Sequence, residues 1–354
     1  MSSKLKRLEI SSLKCFRSCE IALNGITVLT GTNSGGKTTI LQSLLLLKYF
    51  AGNLGDASSV DEFPQSIGGI AVGPRDSFFR FGEDELPTIR LNDGNRTDTM
   101  KLGTTDGEPG SSQVCLDNTW RVFSTVHLPL NSEQDIGQRS LDKDSIYDHG
   151  HALMEYLRFE VKRKPGSSNP DVNLRSVVEG FVKDITVPTF VELTETQLEG
   201  KLKLSYTDTS LEAESTPPEQ YGTGVTAILP LAIHIAAAIP GEVLVVQDPE
   251  AHLHPHGQSM VGRKLAACSA RGIQVVVETH SEHVVNGIKL GLLDERLNPA
   301  ETLSCYYISR ANGETSVERV LVDERGLTRS WPRGFFDQAE LDLAYLASIS
   351  RHGN

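Results

Sequence analysis

The chain of 354 residues has no apolar run that reaches the roughly 18 residues needed to cross a membrane as a helix. Its nearest candidate, Ala227 to Ile239 (AILPLAIHIAAAI), is shorter and contains Pro230 and His234. The opening MSSKLKRLEI lacks the apolar stretch that follows the basic residues of a secretory signal. These absences lead us to expect a cytoplasmic chain without membrane contact. Cysteine is sparse, with five residues, and is read as reduced and structural. Cys15 and Cys19 flank Phe16, but no second pair at metal spacing follows them. His252, His254 and His256 alternate without an acid at ligand spacing, so they do not make a zinc set. Positive charge is also scarce: the formal net charge is -12 and the pI about 5.3. That disfavours a broad electrostatic grip on DNA. The short basic groups Lys4/Lys6/Arg7, Lys14/Arg17 and Lys162–Lys164 read as solvated faces.

One stretch organises what is there. Residues 25–47 read GITVLTGTNSGGKTTILQSLLLL: a buried apolar run, a glycine-bounded turn and a helix. Gly31 to Thr38 fits G-x-x-x-x-G-K-[ST], the phosphate-binding loop. Glycines at both ends permit the tight path that turns backbone N–H groups inward on phosphates. The residues of this cradle are Gly31, Asn33, Ser34, Gly35, Gly36, Lys37, Thr38 and Thr39. Lys37 is placed to reach the β/γ-phosphates, and the Thr38 hydroxyl to hold Mg²⁺. The first turn of the following helix adds free N–H groups to the same anion site.

Outside that stretch the pattern divides the chain. Residues 1–50 carry strands at Leu5–Leu13, Phe16–Leu23 and Ile26–Leu29, then the apolar helix from Lys37. Residues 51–130 hold short apolar pieces (Phe78–Phe81, Thr88–Leu91, Val114–Leu116) between Asp93-Gly94, Asp106-Gly107 and Pro109-Gly110 turn signals, which suggests a β-rich lobe. Residues 131–220 read as an inserted helical or mixed region. Its helices are expected at 148–158 and 174–185, with a β-hairpin from Phe190–Leu193 and Leu202–Tyr206. From 221 to 310, helices near 222–239, 256–270 and 281–290 alternate with strands at 242–246, 273–277 and 304–308. That alternation predicts an α/β fold with a mostly parallel, helix-covered sheet. Residues 311–354 form a tail expected to pack on it.

Two of these strands end in polar groups suited to phosphoryl chemistry. Val243–Val246 runs into Gln247, Asp248, Pro249 and Glu250, and Ile273–Val277 into Glu278, Thr279 and His280. Acids at the C-terminal end of a parallel strand can hold Mg²⁺ and polarise water. Asp248, Glu250, His280 and Lys37 are therefore the candidate catalytic residues, and Thr38 and Asp248 candidate metal residues.

The order of Thr30–Thr39, QDPEAHLHP (247–255) and ETHS (278–281) resembles the ABC-type ATPase heads of the RecF, SMC and OLD-like proteins. More closely, it is similar to a bacterial group of AAA-type ATPases with a tail of the form WPxGFFDQ; Trp331 to Gln338 reads WPRGFFDQ. The resemblance covers the first 50 residues and nearly everything after Gly222, and weakly the middle. It implies a P-loop NTPase of ABC-ATPase-head type, with an antiparallel β lobe and an inserted region. It further implies ATP and Mg²⁺ as cofactors and a homodimer closed by ATP. Gly222, Thr223 and Gly224, in YGTGVTAILP (221–230), would then contact the partner subunit's nucleotide, and Gln65 would report on Mg²⁺ and the γ-phosphate. The same resemblance points to DNA repair or anti-phage defence, beside a nuclease or other partner protein, with DNA contact left open. Gln247 departs from the pattern, which has a metal-holding acid there. That departure keeps open a non-hydrolysing, ATP-stabilised scaffold, and the likeness to OLD-like proteins leaves a second alternative, the ATP-controlled component of a nuclease.

Overall fold

The computed structural model describes residues 4–53, 63–80, 85–103, 111–113, 116, 120–125, 133–135, 173–195, 201–210, 214–328, 331–332 and 334–352. In chain order these form β1 (Arg7–Leu13), β2 (Phe16–Ala22), β3 (Ile26–Gly31), α1 (Lys37–Asn53), β4 (Ser66–Ile67), β5 (Ile70–Ala71), β6 (Thr88–Asn92), β7 (Thr97–Lys101), β8 (Ser111–Gln113), β9 (Trp120–Ser124) and β10 (Glu133–Asp135). There follow α2 (Leu174–Ile185), β11 (Thr189–Glu195), β12 (Lys201–Asp208), α3 (Thr223–Ala237), β13 (Val243–Gln247), α4 (Pro255–Ala270), β14 (Gln274–Glu278), α5 (Glu282–Asp294), the single turn α6 (Pro299–Thr302), β15 (Leu303–Ala311), β16 (Glu314–Val320) and α7 (Gln338–His352).

The central sheet has the order β16-β15-β3-β14-β13-β9. All its pairings are parallel except β15 with β16. Its inner strands β13 and β14 are buried at every residue because both faces are covered. The period-2 alternation of a strand sorts their side chains into two cores. Leu244, Val246, Val275 and Val277 point to one side, where α2, α3, α4 and α5 pack. Val243, Val245 and Val276 point to the other, where α1 and a second sheet close the layer. That second sheet is antiparallel, in the order β2-β1-β6-β7-β8, and its Asp93-Gly94 hairpin joins β6 to β7 with Gly94 at φ 94°.

β11 and β12 form the expected antiparallel hairpin, with β10 on the far edge of β12. α2 spans the residues its amphipathic pattern marked, started by Asn173, whose side chain accepts from the Ser176 N–H at 2.7 Å. Phe78, expected in a strand, ends a 3-10 turn (Arg75–Phe78) and is buried. The helix expected at 148–158, the turns at 106–107 and 109–110, and the basic cluster at 162–164 lie outside the described residues. Among the described residues, no helix is long and apolar enough to cross a membrane. In the tail, Phe335 is buried against Tyr307 and stacked on Trp331, with ring centroids 5.3 and 4.3 Å apart.

Candidate active site

β3, β14 and β13 lie side by side, so the phosphate loop and the two polar strand ends open onto one edge of the sheet. The loop leaves β3 at Gly31, whose φ of 134° only glycine adopts without strain. A Cβ on Gly31 would lie 1.9 Å from the Ile308 carbonyl oxygen, which accepts the Thr32 N–H at 3.0 Å. The loop is thus stitched to β15. Gly36, at φ 114°, brings the helix start so close that a Cβ would meet Cys15 Sγ at 2.7 Å and the Phe16 ring at 2.8 Å. α1 then begins at Lys37. Its first-turn N–H groups have no partner within the helix and face the loop's concavity.

Lys37 is 3% exposed, and its Nζ donates to the carbonyls of Gly31 (3.1 Å) and Thr32 (2.8 Å). Burial lowers its pKa, opposed by the carboxylates of Glu278, Asp248 and Glu250. Thr38 Oγ1 donates to Glu278 Oε1 at 2.8 Å. Glu278 is buried at the end of β14, and burial raises its pKa to about 7 against the pull of the Thr38 hydroxyl. Burial raises Asp248 as well, with His280 and Lys37 pulling the other way. Asp248 sits in the left-handed region (φ 47°), because β13 must turn sharply there.

The segment after β14 uses each of its residues differently. Thr279 Oγ1 and the His280 N–H donate to the two oxygens of Glu250, at 2.8 and 2.5 Å. Ser281 caps α5, accepting the Val284 N–H at 3.2 Å, and its hydroxyl donates to Gln258 at 2.5 Å. Glu250 therefore ties the turn after β13 to the turn after β14 and fixes the backbone of His280. Burial raises the Glu250 pKa, while those two donors hold it down. Burial and the nearby Lys37 charge lower His280.

Several of these groups border a cavity of about 660 Å³, while Gly31, Glu250, Thr279 and Ser281 lie outside its lining. Asn33, Ser34, Gly35, Gly36, Lys37, Thr38, Thr39, Asp248 and His280 line it, as the sequence led us to expect. So do Glu278, Gln247, Lys14, Cys15, Ser77 and Arg310, which were not assigned to the site. Gln247 is 8% exposed, and its carbonyl oxygen accepts from Ser124 Oγ on β9 at 2.9 Å. Gln65 does not border the cavity: it is exposed, and its carbonyl accepts the Val72 N–H at 2.8 Å. Gln42 instead accepts from Lys14 Nζ at 2.8 Å, while its side-chain amide donates to Ala71 O at 2.7 Å. Gly222, Thr223 and Gly224 start α3 outside this cavity, with Gly224 packed near the His252 carbonyl. Lys14 could not be assigned from spacing, since it reaches the cavity only through the tight β1–β2 turn.

The donor set suits a hard divalent cation bound beside phosphates. One oxygen of Asp248 and one of Glu278 are buried without a hydrogen-bond partner. Ligand atoms of Asp248, Glu278 and His280 lie within 4.8 Å of one another. Mg²⁺ prefers one or two carboxylates, substrate phosphates and retained waters, which this constellation leaves room for.

The chain is similar to several known proteins. The solved SMC head bound to the C-winged helix domain of ScpA matches with a TM-score of 0.50 at 13% identity, over 90% of this chain and 98% of that one. The fold is that of an SMC head. The SMC head domain from Thermotoga maritima gives a TM-score of 0.48 at 14% identity, over 90% of this chain and 100% of that one. A family profile described as an AAA ATPase domain matches residues 150–285, and one described as a protein of unknown function matches 299–346. The Old nuclease of Escherichia phage P2 is 23% identical over 358 residues, covering 82% of this chain. The chain spans 59% of the length of that relative.

Proposed function

We propose that this head binds ATP with Mg²⁺, closes on a second copy around the nucleotide, and hydrolyses it at a modest rate. The observation that carries this reading is the convergence on one cavity of a phosphate loop, its lysine, and two carboxylates with unpartnered oxygens. The loop N–H groups and the helix start receive the phosphates, and Lys37 exchanges its loop carbonyls for the β/γ-phosphate oxygens. Bound Mg²⁺ would supply charge stabilisation for the oxygens of the γ-phosphate, held by Thr38 and acids of the strand ends. Asp248 and His280 face the γ-phosphate end, where one of them takes the proton of the attacking water. Glu250 positions His280 through the hydrogen bond to its N–H. Gly222 and Thr223, exposed at the start of α3, and the half-buried Gly224 would reach the nucleotide held by the partner copy.

The similarity to the Old nuclease supports a role in DNA repair or anti-phage defence beside a nuclease or other partner protein, with DNA contact left open. A second reading, a nucleotide-stabilised scaffold without turnover, is favoured by the neutral Gln247 and by Glu250 already committed to two donors. Phosphate release by the purified protein, with Lys37→Ala beside it and molar mass measured with and without ATP, separates the readings. Turnover lost in Lys37→Ala together with an ATP-dependent dimer supports the gated ATPase. A tight dimer without turnover supports the scaffold, and no nucleotide binding by the wild type refutes both.

A further inference from the structure

We propose that Glu278, at the end of β14, is the metal-holding acid of this head, having taken over the place that Gln247 leaves neutral. The inference rests on the ATP and Mg²⁺ reading above and adds the residue on which the metal depends.

The starting point is the hydroxyl of Thr38, the phosphate-loop group suited to hold the cation. The acid in contact with it is Glu278, through Oε1 at 2.8 Å. Its other oxygen, Oε2, is buried without a partner in a side chain that is 3% exposed. A buried carboxylate oxygen left unsatisfied is costly unless a ligand completes it. Asp248 offers a second unpartnered buried oxygen close by, and the ligand atoms lie within 4.8 Å of one another, as a single cation requires.

Gln247 cannot do this work. It carries no charge, and its oxygen is engaged sideways by Ser124 on β9, away from the phosphate loop. Yet Gln247 and Glu278 are register partners on adjacent parallel strands, and such partners point to the same face. The acid has therefore moved one strand towards β3 at the same height, which brings it against the phosphate loop. With Glu278 charged, a second carboxylate at 247 would stand beside it, which accounts for an amide at that position.

The test uses Mn²⁺ as the probe, followed by electron paramagnetic resonance on the full chain with a non-hydrolysable ATP analogue. Binding of a fluorescent ATP analogue in EDTA is measured in parallel. Glu278→Gln is expected to weaken Mn²⁺ binding about tenfold or more, while metal-free nucleotide binding stays within about twofold. Glu278→Asp is expected to recover part of the loss, and Gln247→Leu to leave Mn²⁺ affinity unchanged. Mn²⁺ affinity unchanged in Glu278→Gln, with nucleotide still bound, overturns this assignment and leaves the ATP reading standing. A wild type that binds no nucleotide in either condition overturns both.

Discussion

Replacing Gln247 by glutamate probes the electrostatics of the strand ends directly. The side chains are nearly isosteric, so packing changes little while a charge is added at a buried position beside Glu278. Neighbouring strands are about 4.8 Å apart, and two carboxylates at that distance repel by about 3 kcal/mol at an effective dielectric constant near 20. A chain of this length has an unfolding entropy of about 0.7 kcal/mol/K, so the melting temperature is expected to fall by about 4 °C. The pH dependence follows from linkage. A carboxyl whose folded pKa is raised carries its penalty above that pKa and loses it as pH falls towards the unfolded value near 4.3. Glu278 itself titrates at about 7 and escapes the repulsion by taking a proton, so the gap from wild type should be largely open only at about pH 9 and nearly closed at about pH 5. Calorimetry without metal measures it, and Mg²⁺ with nucleotide should narrow it. In a Glu278→Gln background the same substitution should cost little, giving a coupling of about 3 kcal/mol. A Gln247→Glu variant that melts with the wild type at about pH 9, with no coupling to position 278, would refute the reasoning.

Two further outcomes follow from the geometry. Gly31→Ala puts a Cβ 1.9 Å from a backbone oxygen of β15 at a φ of 134°, so the loop must detach from Ile308. ATP should then no longer raise the melting temperature, an effect readable by a thermal shift titration. Arg121 pairs with Glu242 at 2.6 Å, both buried, linking β9 to the start of β13. Arg121→Met leaves that carboxylate buried without its guanidinium and should cost about 3–5 kcal/mol, measurable by urea unfolding, and no loss would contradict the burial of the pair.

Much of the site was legible because its signals are local. The phosphate loop is eight contiguous residues whose types follow from the backbone path they take. Gly31 and Gly36 do occupy positive φ, and Lys37 opens the helix as expected. The acids after β13 and the histidine after β14 were marked by apolar strands ending in polar residues. Less local features escaped. Gln65 was chosen for a metal-reporting role but is exposed and does not border the cavity, because its backbone is held beside the β4–β5 turn. Lys14 and Arg310 border the cavity from distant parts of the chain. Phe78 reads as strand by composition, but a short 3-10 turn buries it under Lys14.

What the sequence determined alone was therefore the class of chemistry: a phosphate loop between a strand and a helix, alternating elements that must form a covered parallel sheet, and polar strand ends at one edge. Tertiary structure decided which acid meets which hydroxyl. Asp248, Glu250 and Glu278 all follow apolar strands, and in one dimension nothing separates them as metal partners. Only the strand order β3-β14-β13 places Glu278 against Thr38 and turns Gln247 towards β9. Strand order arises from pairing between segments that are far apart in sequence, and no local propensity encodes it.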